Sequence, residues 1–78
     1  MSTREIIVAI MKEIKPTKNL EGVNDIVEGG YIDSVELMLL ISTISERFRI
    51  DISIDKITPE NFNSIDAITE MIELLLRN

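Results

Sequence analysis

Residues 29–36 read Gly-Gly-Tyr-Ile-Asp-Ser-Val-Glu and run directly into the apolar stretch 37–44, Leu-Met-Leu-Leu-Ile-Ser-Thr-Ile. One hydroxyl, that of Ser34, stands where loop gives way to helix. A serine becomes a nucleophile when a neighbouring base takes its proton. The chain contains no His and no Cys, so an ordinary nucleophile-and-base arrangement cannot be assembled around it, and zinc, thiol and disulfide chemistry are excluded with it. Ser34 is therefore structural, or it is acted on by another protein. In the first turn of a helix, unpaired backbone N–H groups and the helix dipole favour an attached or bound anion such as a phosphodiester. Asp33 and Glu36 partly counter that field. The plainer alternative is a serine that merely belongs to a helix start.

The elements that must position this serine are legible from caps and periodicity. Ser2 and Glu5 fit a capping box, and apolar residues follow at 6, 7, 10, 11 and 14, which predicts a first helix over about 3–15, stopped by Pro16. From 16 to 33 the period breaks, yet Leu20, Val23, Ile26, Val27, Tyr31 and Ile32 are spread through the stretch. A long loop that wraps the core is expected there. Helix two is predicted to start with Asp33 as N-cap, Glu36 closing a capping box and Ile32 stapling onto Leu37, and to end near Arg49.

Residues 50–57, Ile-Asp-Ile-Ser-Ile-Asp-Lys-Ile, alternate as a strand would. No second strand exists to pair with them, so hydrogen-bond accounting makes the segment an extended linker that turns Ile50, Ile52, Ile54 and Ile57 onto the core. Thr58-Pro59-Glu60 reads as the start of a short third helix carrying Phe62 inward. Ser64 then caps a last helix with Ile65, Ile68, Met71, Ile72, Leu75 and Leu76 at helical spacing.

The 78 residues suit a single domain, 1–78, in which folding buries only about 60–65% of the unfolded chain's surface. Eight Lys and Arg against fourteen Asp and Glu give a net charge of −6, which repels phosphate backbones and anionic lipid, so nucleic acid is not an expected partner. The same charge suits either a partner with a basic patch or simple solubility. No apolar run approaches the ~20 residues of a membrane span and no cleavable leader pattern is seen, so a cytoplasmic monomer is expected.

On helix two the core stripe is Leu37, Leu40, Ile41, Ile44 and Phe48, which leaves Val35 and Leu39 nearly opposite it, beside Ser42 and Glu46, with Met38 toward one flank. Such a cluster beside Ser34 marks a contact surface, or it is covered by the long loop or the short third helix.

Taken together, Gly-Tyr-Ile-Asp-Ser-Val, an amphipathic helix ending Glu-Arg-Phe, a short helix and Glu-Asn-Phe-Asn-Ser-Ile-Asp-Ala-Ile resemble the acyl carrier protein family along essentially the whole chain. The match includes Phe48 fourteen residues after the serine and Phe62 and Ile65 at the entry to the last helix. The resemblance implies an all-α, four-helix bundle of acyl-carrier type: three longer helices, a short third helix and a long loop between the first two. It implies that Ser34, in Asp33-Ser34-Val35, receives 4'-phosphopantetheine from coenzyme A. Such a chain is not an enzyme. Its partners would be a phosphopantetheinyl transferase, an acyl- or aminoacyl-loading ligase, and synthases and transferases that act on the thioester, meeting the face of Val35, Glu36, Met38, Leu39, Ser42 and Glu46. Leu40, Ile41, Ile44, Phe48, Ile57, Phe62 and Ile68 would line an acyl pocket, or would simply fill the core.

Val35 stands where the family's motif has Leu, and Leu39 where carriers of bacterial fatty acid synthesis have Glu. These departures favour a free-standing carrier of a specialised pathway, such as polyketide, peptide or D-alanyl transfer, over a housekeeping fatty acid carrier. The alternative of a different class is a small helical adaptor with unmodified Ser34 that binds through Val35, Met38 and Leu39.

Overall fold

Each predicted helix start finds its cap. In a computed structural model, which describes residues 1–77, the Ser2 hydroxyl accepts the N–H of Glu5 at 3.2 Å while the Glu5 carboxylate takes the N–H of Ser2 at 2.9 Å. This box opens α1 (Thr3–Ile14). Asp33 and Glu36 form the same reciprocal pair, at 2.8 and 3.0 Å, at the start of α2 (Ser34–Phe48). Thr58 caps the single turn α3 (Pro59–Phe62) through the N–H of Asn61, and Ser64 bonds the N–H of Ala67 at 2.9 Å in the first turn of α4 (Ile65–Arg77). Among the described residues there are four α-helices, three long and one short, and no strand. None of these helices is long and apolar enough to cross a membrane.

α1 is the central element and packs against both α2 and α4, while α3 lies on α4. The core takes Ile7, Ile10 and Met11 from α1, Leu40 and Ile44 from α2, Phe62 from α3, and Ile65, Ile68, Met71 and Ile72 from α4. The long loop does wrap this core, burying Leu20, Ile26 and Ile32, with Val23 and Val27 half-buried against it. Burial of this apolar set is the main favourable contribution to folding.

Three details differ from the sequence reading. α1 ends at Ile14, one residue short, with Lys15 already out of helical geometry ahead of Pro16. Tyr31 lies on the surface, unlike the loop's other apolar side chains. In the linker, a single 3₁₀ turn at Ile54–Lys56 breaks the two-residue alternation, so Ile50, Ile52 and Ile57 reach the core but Ile54 is 87% exposed. α2 closes on Arg49 in the left-handed region (φ 55°, ψ 50°), where its N–H and that of Ile50 both reach the carbonyl of Ser45.

Candidate functional site: the start of helix α2

The loop delivers the chain to Ser34 through a closed turn. The Ile26 carbonyl accepts the N–H groups of Tyr31 at 3.0 Å and Ile32 at 3.4 Å, and Gly29 N–H meets the Asp25 carbonyl at 2.6 Å. Both glycines of the turn are required by geometry. A Cβ on Gly29 would sit 2.6 Å from the Asp25 carbonyl oxygen, and Gly30 has φ +75°. Ile32, buried next to Asp33, anchors the far end of the turn in the core.

Ser34 follows as the first residue of α2, exposed, and its hydroxyl has no hydrogen-bond partner among the described residues. Asp33 takes the N–H of Glu36 on its side chain and that of Leu37, at 2.8 Å, on its carbonyl. The N–H groups of Ser34 and Val35 have no protein partner among the described residues. An oxygen-rich anion carried on the Ser34 hydroxyl would meet two free donors and the positive end of the helix dipole.

Glu36 is engaged on both oxygens. One accepts the Asp33 N–H, and the other meets Lys15 Nζ at 2.9 Å, tying the end of α1 to the start of α2. The Asp33 N–H first and the Lys15 ammonium second hold the Glu36 carboxyl below its ordinary range. The acid that stands closest in sequence to Ser34 on the helix is thus directed into the fold's own contacts.

The outward face of α2 carries Val35, Met38 and Leu39, exposed by 77%, 64% and 52%, with Ser42 and Glu46 also exposed further along. Neither the long loop nor α3 covers them. Of the seven residues considered for an acyl pocket, Leu40, Ile44, Phe62 and Ile68 are fully buried, and Ile41, Phe48 and Ile57 are half-buried against them. A surface cleft of about 270 Å³ between the 3₁₀ turn, α3 and α4 is lined by other residues, among them Lys56, Asn61, Met71 and Leu74.

Two residues that sequence reasoning did not single out also shape the site. One is Lys15, through Glu36. The other is Asn63, at the C-terminal end of α3, whose side-chain oxygen accepts the N–H groups of Val27 at 3.0 Å and Glu28 at 3.1 Å. Both have partners far away in sequence, and a lone Lys before Pro or Asn before Ser carries no local signal of such a contact. No family model matches the sequence, and no curated protein matches it.

Proposed function

We propose that the chain is a carrier of the acyl carrier protein type, with Ser34 as the attachment point for 4'-phosphopantetheine. One observation carries the reading: a solvent-exposed serine hydroxyl on the first turn of a helix with a capping box, without a hydrogen-bond partner among the described residues, with two N–H groups behind it that also lack one there and an exposed apolar face beside it. Further support comes from the order of the elements, with a wrapping loop before α2 and a one-turn helix before α4, which is the arrangement the sequence resemblance implies.

The residues present fit the group. In the attachment step the Ser34 oxygen forms a new bond to phosphorus and gives up its proton to a base on the transferase, while the pyrophosphate P–O bond of coenzyme A breaks and adenosine 3',5'-bisphosphate leaves. The N–H groups of Ser34 and Val35 would hold the resulting phosphodiester, and the Asp33 carboxylate stays turned toward Glu36 N–H. When bound, the group supplies the thiol that a chain without Cys lacks, and acyl or aminoacyl cargo rides on it as a thioester. Val35, Met38 and Leu39 present apolar surface to the transferase, ligase and synthase partners, in keeping with a specialised pathway. The loading chemistry belongs to those partners.

The exposed apolar face also favours a second reading, an adaptor that binds through α2 with Ser34 unmodified. Coexpression with a broad-specificity phosphopantetheinyl transferase, followed by intact mass, separates the two. The carrier gains one prosthetic group, and the adaptor gains none.

A further inference from the structure

We infer that Asn63 is a positioning residue for Ser34, clamping the loop segment 26–28 so that the closed turn after it presents the serine in one place; this rests on the carrier reading. Asn63 makes four contacts with that segment. Its side-chain oxygen accepts the N–H groups of Val27 and Glu28, its side-chain nitrogen donates to the Glu28 carboxylate at 2.8 Å, and its backbone carbonyl accepts the N–H of Ile26 at 2.9 Å. Ile26 passes the constraint on, because its own carbonyl holds Tyr31 and Ile32, and Ile32 directly precedes the Asp33 cap. The clamp is itself fixed: Asn63 N–H donates to the Pro59 carbonyl at 2.8 Å, and its neighbours Phe62 and Ile65 are buried. A carboxamide carries its acceptor and its donor on separate atoms of one short side chain, so it can take two N–H groups on the oxygen while the nitrogen donates elsewhere. Ser is too short to do both, and Asp loses the donor. Elsewhere the loop between α1 and α2 is held by the exposed pair of Arg4 and Glu21 at 3.3 Å near its start and by apolar burial, which is non-directional and sets depth better than it sets register.

The contact with Glu28 permits a test that general loss of stability cannot mimic. Asn63→Asp keeps the acceptor but faces one carboxylate with another, whereas Asn63→Asp combined with Glu28→Gln restores a donor-acceptor pair with its direction reversed. Two readouts are compared for the wild type, Asn63→Ala, Asn63→Asp and the double variant: amide hydrogen exchange, and the steady-state kinetics of modification with coenzyme A and a transferase. In Asn63→Ala, exchange at Val27 and Glu28 should quicken by about tenfold or more while α4 amides change by less than about twofold, because a local opening replaces protected N–H groups by solvated ones. KM for the carrier should rise by about fivefold with kcat held, the mark of impaired presentation without loss of the reacting group. Asn63→Asp should be impaired, and the double variant should recover both readouts. Should Asn63→Ala fail to fold, Asn63→Asp and the double variant carry the same comparison.

Unchanged exchange at Val27 and Glu28, a uniform rise that includes α4, an unchanged KM, or a double variant no better than Asn63→Asp would each overturn the inference. A wild type that is never modified overturns the carrier reading and this role together, whereas equal modification of wild type and Asn63→Ala overturns the role of Asn63 alone.

Discussion

Leu39 and Leu40 are neighbours in the chain and opposites in the fold, so the same substitution at each isolates what the phase of α2 decides. Leu40 is fully buried in the core on the side of α2 that packs against α1, and Leu39 is 52% exposed. Leu40→Ala loses the transfer free energy of the deleted atoms and leaves a cavity, a cost of about 2–5 kcal/mol. A chain of 78 residues has a stability of about 4–12 kcal/mol at roughly 0.05–0.15 kcal/mol per residue. Leu40→Ala therefore removes a large part of it. For Leu39, about half of the ~1.5–3 kcal/mol of a fully buried leucine is at stake, and alanine's better helix propensity returns a few tenths. The net loss should be about 0.5–1.2 kcal/mol, below that at Leu40. With no Trp in the chain, far-UV circular dichroism in a urea titration is the natural probe. A lower midpoint at constant slope reports stability alone, and a changed slope reports altered compactness. Equal losses at the two positions, or a greater loss at Leu39, would refute the assignment of the outward face and with it the proposed partner surface.

Two further outcomes follow from the same site. Because the Asp33 N–H and Lys15 hold the folded Glu36 carboxyl below its ordinary range, its stabilising contribution is full above the unfolded value of about pH 4.3 and is lost as pH falls through the lowered folded value. The gap in denaturation midpoint between wild type and Glu36→Gln should therefore shrink on going from about pH 7 to about pH 3; a constant or widening gap contradicts the pairing with Lys15. Leu39→Glu should leave the fold intact yet lower kcat/KM for loading by the cognate ligase or transferase. Wild-type loading should change little when the Debye length falls from about 10 Å at 0.1 M to about 3 Å at 1 M salt, and strong salt inhibition of the wild type would shift the contact from the apolar residues to charged ones such as Glu46.

What could be read from the sequence was local. The caps at Ser2, Asp33, Thr58 and Ser64 act over three residues, and their hydrogen bonds are present. The stripe of α2 is a matter of angle along one helix, and it separates Leu40 from Leu39 as the periodicity requires. Ile54 escaped because one 3₁₀ turn shifts the phase of a short alternating run, and the hydrogen bonds that close it, from Lys56 to Ser53 and from Ile57 to Ile54, leave no mark in the hydrophobic pattern. Asn63 and Lys15 escaped for a different reason. Their partners lie in other elements, at Val27 and Glu28 for one and Glu36 for the other, and tertiary pairs of this kind have no fixed spacing. Ser34 itself was conspicuous only through its context, a lone hydroxyl at a capped helix start in a chain without His or Cys.

If Ser34 anchors an imported thiol, the mass of the chain records the attachment. Wild type and Ser34→Ala, both purified in the unmodified form, are incubated with coenzyme A and a broad-specificity transferase, then weighed intact and mapped by peptide. Loss of a hydroxyl that caps nothing should leave the circular dichroism of Ser34→Ala unchanged. The wild type should gain a single phosphopantetheine, on the peptide that contains Ser34, and Ser34→Ala should gain none. A wild type whose mass stays the same with several competent transferases, or a Ser34→Ala chain that is modified as fully as the wild type, would contradict the account.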